Sequence, residues 1–331
     1  MKALVTGASG FLGRSVVRRL RSDGVEVRAL VRAGRGLDDA DVDIYPGDIC
    51  DDAAVEGAVR GMDLVVHCAA RVETTGKWEE FAEVNVRGTR RVIRAAQSAG
   101  VRRIVHISSL GVYAVPYDGV TITEDSAYES EGESRGHYSR SKLAADRVAL
   151  DAARRGAPVV VLRPGLLYGP GKRPPLARQS FSVKQFKLIL ATPAYTLPMT
   201  YIDNAADAVS LAATADGTVG QAFTIVDANV PQAEYAALYR DACGESWRPM
   251  FLPVGMIAAA AWGLERALRL ARRRSPVTYH QIRRATRCAH YDCSRAEHLL
   301  GWRPAVSVQE GLRSTFASLR AASSEAAPRT S

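Results

Sequence analysis

Along the first half of the chain, short unbroken apolar runs alternate with longer segments whose apolar residues recur every three or four positions. Lys2 to Thr6 is one such run and predicts a buried strand. Gly7-Ala-Ser-Gly10-Phe-Leu-Gly13 follows, then a helix from about Gly13 to Ser22 with Val16, Val17 and Leu20 on one side. Asp23-Gly24 turns into a second strand, Val25 to Val31. Strand, glycine-rich turn, helix and strand within about 30 residues make a βαβ unit with parallel pairing. The alternation continues. Strands are expected at Val42 to Tyr45, Leu64 to His67, Arg103 to Ile107 and Pro158 to Leu162. Helices are expected at Asp51 to Arg60, Phe81 to Ala99 (Val84, Gly88, Val92 and Ala95 on one face) and Tyr138 to Arg154. This pattern predicts an α/β fold with a doubly wound parallel Rossmann sheet.

After Arg163-Pro164 the regularity breaks. Gly165 to Pro175 reads as loop, and Gln179 to Tyr195 has no clean period. Helices at Asn204 to Ala213 and Gln232 to Cys243 flank a strand at Phe223 to Val226. Phe251 to Arg274 reads as a helix, apolar first and basic later. The expected division is a core over 1–164 and a mainly substrate-binding, smaller C-terminal lobe over 165–320. Within that lobe, 201–227 returns to the core, and 321–331 is a small, polar, disordered tail. The lobe lies over the carboxyl ends of the strands, where open α/β sheets bind ligands.

Composition narrows the classes. The 47% hydrophobic and 24% charged content is that of an ordinary globular protein. Met1-Lys2 leads straight into the first strand, so no signal peptide is read, and no uncharged apolar run reaches the roughly 18–20 residues that span a bilayer. Five cysteines, with no CxxC pair, fit a reduced cytoplasmic protein without a metal site. The net charge of +9 comes mostly from arginine. Arg87, Arg90, Arg91 and Arg94, then Arg102 and Arg103, form one set; Arg266 to Arg287 holds another. Solvated helix faces explain them, and no groove-reading motif or interleaved aromatics point to nucleic acid. Within 254–274, apolar Ala258 to Ala261, Leu264, Leu268 and Ala271 alternate with Arg266, Arg269 and Arg272–Arg274. Such a helix either faces the core, meets a second copy, or makes a peripheral membrane contact.

The glycine-rich turn carries the first chemistry. Gly7 permits a tight turn, Gly10 lets backbone approach a pyrophosphate, and Gly13 lets the helix pack on the strand. Ser9, Phe11 and Leu12 complete the segment, whose helix N-terminus favours phosphate. Val31 is followed by Arg32, with Arg35 near and no acid until Asp38, a charge pattern that favours a 2′-phosphate, hence NADP over NAD. Tyr138 and Lys142 are four apart and share a helix face. An ammonium there would favour the phenolate and draw the tyrosine pKa towards neutrality, making Tyr138 a candidate acid/base.

With GxxGxxG after Thr6, Ser108-Ser109-Leu-Gly-Val-Tyr113 and Tyr138-Ser-Arg-Ser-Lys142, the chain resembles the extended short-chain dehydrogenase/reductase family. His67-Cys-Ala69-Ala70, Val84-Asn85-Val86-Arg87-Gly88-Thr89, Leu162-Arg163-Pro164…Tyr168-Gly-Pro170, Tyr201-Ile-Asp-Asn-Ala-Ala-Asp-Ala208 and Leu300-Gly-Trp-Arg-Pro304 extend it from Lys2 to about Leu312. The resemblance implies that Ser109 holds a substrate oxygen, that Tyr138 exchanges a proton with it, and that Lys142 tunes Tyr138 and binds the nicotinamide ribose. It further implies that Asp48 and Ile49 meet the adenine, that Ala69, Ala70, Asn85 and Pro164 border the cofactor, and that the protein is a homodimer. Leu110-Gly111 stands where 4,6-dehydratases have an acidic pair, which argues against that reaction. The expected function is an NADP-dependent oxidoreductase interconverting a secondary alcohol and a ketone on a medium-sized, partly apolar small-molecule substrate. It resembles the 3-beta-hydroxysteroid dehydrogenase and dihydroflavonol reductase branch. The alternative is a sugar-nucleotide 4-epimerase with retained NAD(P), supported by Lys172, Arg173 and Arg178. A non-catalytic NADP sensor is a third reading, disfavoured by the intact Ser109, Tyr138 and Lys142.

Overall fold

Seven strands form one parallel sheet: β1 (Lys2–Thr6), β2 (Glu26–Val31), β3 (Asp43–Pro46), β4 (Leu64–His67), β5 (Arg103–Ile107), β7 (Val159–Pro164) and β12 (Ala222–Ile225), in spatial order β12-β7-β5-β4-β1-β2-β3. The computed structural model describes residues 1–34, 36–37, 41–73, 75–130, 136–172, 174, 180–183, 185–189, 192–252, 254–270 and 288–325. Central strands are buried at every position, since helices cover both faces: this holds for all four residues of β4 and all six of β7, which apart from His67 and Arg163 near the carboxyl ends are apolar. On one face, α1 (Phe11–Ser22) packs against α6 (Ile202–Thr214). On the other, α2 (Asp52–Val59), α4 (Gly88–Ser98) and α5 (His137–Arg154) close a second core around Leu4, Val65, Ile104 and Val161. The strand order reverses between β1 and β4, so their carboxyl ends open the crevice where such sheets bind ligands.

Several elements differ from the periodicity. Helix α1 starts at Phe11, two residues before Gly13, because Gly10 sits extended at its N-cap. The segment expected as one helix over 81–99 is α3 (Trp78–Phe81), a π-helical turn (Ala82–Arg87) and α4. The stretch read as loop after Gly165 holds β8 (Leu166–Tyr168), parallel to β11 (Thr196–Tyr201). The aperiodic 179–195 segment holds the antiparallel pair β9 (Ser180–Val183) and β10 (Phe186–Ile189). Small strands pair through backbone bonds, which leave no mark in a hydrophobic period.

Next come β13 (Ala228–Pro231), α7 (Gln232–Cys243), β14 (Arg248–Phe251) and α8 (Val254–Leu270). Then β15 (Ala289–Tyr291) pairs with β6 (Val120–Ile122), and α9 (Ser294–Leu300) and α10 (Val308–Glu325) end the described chain. The tail read as disordered from Ala321 is thus helical to Glu325, carried by an α10 whose Leu312, Thr315 and Phe316 are buried. The expectations for Arg35, Asp38, Arg173, Pro175, Arg178, residues 271–287 and 326–331 lie outside the described residues.

In the first arginine set, Arg87, Arg90, Arg94 and Arg102 are exposed. Arg91 bonds Asp52 and Glu83, Arg94 bonds Asp52, and Arg102 bonds Asp63. No described helix is long and apolar enough to cross a membrane, and no described cluster of His, Cys, Asp and Glu could hold a metal. All five cysteines are free thiols.

Candidate active site

The glycine turn fits a dinucleotide. Gly7 has φ +68°, and a Cβ there would lie 2.6 Å from the Ala69 amide nitrogen. A Cβ on Gly13 would lie 2.1 Å from the Gly7 carbonyl oxygen. Only glycines let α1 seat against β1 and the Cys68–Ala70 turn so closely. No side chain caps the helix start, so its first amides are left for an anion. Ser9 lends its carbonyl to Arg14. Phe11 sits under the Lys172 ammonium, 4.8 Å from the ring centroid, and Leu12 is part of the core, so only its backbone can serve a ligand. Arg32, just past β2, is exposed and makes no ion pair among the described residues. One Asp48 oxygen accepts the Cys50 amide at 2.9 Å. Ile49 is buried, and its side chain meets Gly88.

Asn85 is bonded within the protein. Its Oδ1 accepts the Arg71 amide at 2.7 Å, while Nδ2 donates to the Arg71 carbonyl at 3.0 Å and to Ser141 Oγ at 2.8 Å. With both amide protons used inside the protein, Asn85 acts as a clamp between the segment after β4 and helix α5. The π turn that carries it aims the side chain inward.

Ser109, just past the end of β5, and Tyr138, in the first turn of α5, are brought together: the Ser109 hydroxyl lies close enough to the Tyr138 phenol to draw its pKa down, and it accepts the Gly111 amide at 3.1 Å. Lys142 is buried one turn along, and its Nζ donates to the Ile107 carbonyl at 2.6 Å. The expected direction of tuning is not what this arrangement gives. Burial pushes the Tyr138 phenol above its ordinary value, and the Ser109 hydroxyl is what opposes it. The lysine is turned to the sheet instead, and burial draws its ammonium down to about 8 against the pull of Asp146 and Cys68. Cys68 itself is pushed up to about 12 by burial and is an inert thiol here.

Two buried networks were missed by motif reading. Arg163 Nε and Nη2 donate to the two carboxylate oxygens of Asp146 at 3.1 and 2.8 Å, while Nη1 and Nη2 also donate to Tyr113 and Tyr128, each at 2.6 Å. Asp146 is four residues after Lys142, a spacing visible in the sequence. The second network runs from Thr6 Oγ to His67 Nδ1 (2.7 Å), from His67 Nε2 to Thr89 Oγ (2.9 Å), and from Thr89 to the Asn85 carbonyl (2.7 Å). Because Thr89 donates to that carbonyl, it accepts from His67 Nε2–H, and Thr6 then donates to Nδ1; the bond pattern assigns a neutral ring.

Beside Ser109 lies a cleft of about 320 Å³. Its walls include Leu110, Tyr113, Val115, Pro164, Leu166 and Pro198, with Glu129 and Ser139 as polar members. Gly165, Tyr195 and Thr196 come from the stretch expected to line a substrate site. Ala289 and Tyr291, from β15, were not expected, because nothing local in the sequence brings that strand to β6.

The model of the NAD dependent epimerase/dehydratase family matches residues 3–225. The 2-alkyl-3-oxoalkanoate reductase of Stenotrophomonas maltophilia is 32% identical over 96% of this chain and 99% of that protein. The sterol-4-alpha-carboxylate 3-dehydrogenase, decarboxylating, of Mus musculus is 28% identical over 96% of this chain and 90% of that one. Among solved structures, MoeE5 in complex with UDP-glucuronic acid and NAD superposes with a TM-score of 0.74 at 25% identity, covering 97% of this chain and 100% of that one. The turn, the sheet order and these likenesses agree: the chain is an NAD(P)-dependent oxidoreductase of the extended short-chain dehydrogenase/reductase type and belongs to the NAD dependent epimerase/dehydratase family.

Proposed function

We propose that the protein is an NADP-dependent dehydrogenase/reductase that interconverts a ketone and a secondary alcohol on a medium-sized, partly apolar substrate. The observation that carries this reading is the apolar, tyrosine-walled cleft ending on Ser109, whose hydroxyl acts on the Tyr138 phenol. A nicotinamide dinucleotide supplies or accepts hydride when bound. The amides after Gly7 and Gly10 would hold its pyrophosphate, Arg32 its 2′-phosphate, and Lys142 its ribose, with Asp48, Ala69, Ala70 and Pro164 along its length. Ser109 holds the substrate oxygen by a hydrogen bond. Tyr138 Oη gives its proton to that oxygen in reduction and takes one from it in oxidation. Holding acid and substrate oxygen in fixed register supplies much of the rate.

The named activities of the bacterial reductase and the mouse dehydrogenase, both oxidoreductases acting at an oxygen-bearing carbon, support the reading. A sugar-nucleotide 4-epimerase is the second reading, favoured by the likeness to MoeE5 with its UDP-glucuronic acid and by Lys172 over Phe11 beside the glycine turn. Offering NADPH with a panel of cyclic apolar ketones separates them: the first reading expects net consumption of NADPH, and the second expects UDP-hexose epimerisation without it. Arg32→Ser is expected to weaken NADPH binding by about tenfold to a hundredfold while leaving NADH unchanged, the worth of one arginine–phosphate contact. Equal losses for both cofactors, in fluorescence titration, would remove Arg32 from the site.

We further read the protein as a homodimer that touches membranes peripherally through 254–274. Met256, Trp262 and Leu264 of α8 are exposed, and the Arg266 guanidinium stacks 4.8 Å from the Trp262 ring centroid. That pairing of apolar surface with positive charge is what an anionic lipid surface takes up.

A further inference from the structure

A one-way chain of buried hydrogen bonds joins the glycine turn to the backbone of Tyr138. The Ala69 amide donates to Thr6 Oγ1 at 3.3 Å, and Thr6 Oγ1 donates to His67 Nδ1 at 2.7 Å. His67 Nε2–H donates to Thr89 Oγ1 at 2.9 Å, and that hydroxyl donates to the Asn85 carbonyl at 2.7 Å. From the same residue, Asn85 Nδ2 donates to Ser141 Oγ, and Ser141 Oγ donates to the Tyr138 carbonyl, each at 2.8 Å. Thr6, His67, Asn85, Thr89 and Ser141 are all buried. Each hydroxyl accepts one proton and gives one, so no link reverses without losing another. Both ends of the chain belong to the site. Ala69 is the residue against which Gly7 packs. At the other end, the N-cap of α5 is Gly136, which makes no side-chain cap, and Ser141 grips the turn that carries Tyr138.

We propose that His67 is a positioning residue for Tyr138: held as its neutral Nε2–H tautomer, it is the joint through which the glycine turn sets where the first turn of α5, and with it the phenol, stands. The inference rests on Tyr138 moving the proton as proposed above. The imidazole is the one rigid member of the chain that must accept on one edge and donate on the other. With Nδ1 protonated instead, the ring would aim a proton at Thr6, whose own proton would lose its acceptor. Nε2 would then face a Thr89 hydroxyl already committed to the Asn85 carbonyl, so two buried bonds would be lost. The His106 ring stacks on His67, with centroids 5.4 Å apart and planes at 28°, which keeps the imidazole from turning over. Burial first and the Lys142 charge second hold His67 at about 3, so the ring stays neutral across the working range. A buried network with every member satisfied fixes one arrangement of the elements it joins. What it protects is register: a displacement of about 1 Å at a reacting group lowers the rate up to about a hundredfold.

The test pairs ring-nitrogen NMR with kinetics on the full chain. With ¹⁵N-labelled histidine, His67 is expected as the Nε2–H tautomer, unchanged from about pH 5 to about pH 9. An Nδ1–H ring, or a protonation step within that range, overturns the proposal. Thr89→Val keeps the shape and removes the acceptor of the Nε2 proton. It should give a mixture of ring tautomers and lower kcat about tenfold, with KM for the ketone and the Kd for NADPH within about twofold of the wild type. Thr89→Ser, which keeps the hydroxyl, should restore both the tautomer and kcat. Ser141→Ala is a milder change to the core and cuts the last link instead. There His67 should keep its tautomer while kcat falls by a similar factor, and the two cuts combined should lower kcat no further than one. Unchanged kcat in a folded Ser141→Ala protein, or equal losses in Thr89→Val and Thr89→Ser, overturns the proposal. Absence of ketone reduction in the wild type would fault the function read above and not this inference: the kcat arm is then read on UDP-hexose epimerisation, and the tautomer arm stands unchanged.

Discussion

Tyr138→Phe should lower turnover about a thousandfold while the protein folds and binds its dinucleotide as before. The phenol oxygen is the only part removed, and in the proposed function it is the atom that moves the proton. Positioned general acids contribute roughly 10²–10⁴ in rate, so the loss corresponds to about 4 kcal/mol in the barrier. KM should change little, because Ser109 still holds the substrate oxygen. The variant also tests the electrostatics. Burial raises the Tyr138 pKa in this structure, which favours the neutral phenol, the form that donates a proton in reduction. Steady-state kinetics on the variant measure the effect directly; a loss of less than about fivefold would assign the proton to another group.

Asp146→Asn should cost about 3–5 kcal/mol of stability, read as a lower midpoint in urea unfolding. Arg163 and Asp146 are 1% and 0% exposed, so this pair is beyond the reach of solvent screening. Burial alone would draw the guanidinium down; the Asp146 carboxylate, bonded and 2.8 Å away, outweighs it and raises it above its ordinary value. Asparagine keeps the shape and leaves a buried cation without its counter-charge. The damage should reach the site as well. Asp146 supports the Lys142 ammonium from one turn away, so its loss moves the lysine further down from about 8. The same guanidinium holds Tyr113, a wall of the cleft. A variant as stable as the wild type would mean that Tyr113 and Tyr128 suffice to solvate Arg163.

The sheet was legible because its strands are buried on both faces and its helices are amphipathic, two patterns that a linear sequence displays. Lys2–Thr6, Leu64–His67 and Arg103–Ile107 are strands over the expected residues. The glycine turn was legible for a steric reason: Gly7 and Gly13 stand where a Cβ has no room. What stayed hidden depends on pairing between distant segments. The β6–β15 pair, which brings Tyr291 to the cleft, joins residues some 170 positions apart. The π turn that aims Asn85 inward is one extra residue in a helix and leaves the apolar period nearly intact. The direction of the Tyr138 shift depends on where the Lys142 ammonium points, and a spacing of four says only that the two share a face.

Hydride tracing tests the central claim most directly. The protein is given NADPH deuterated at the transferred position together with cyclic apolar ketones, and the products are read by mass spectrometry. The account predicts one deuterium on the carbinol carbon of the alcohol for each NADP formed. Epimerisation of a UDP-hexose with no net NADPH consumption, alongside no deuterium transfer to any ketone, would contradict it.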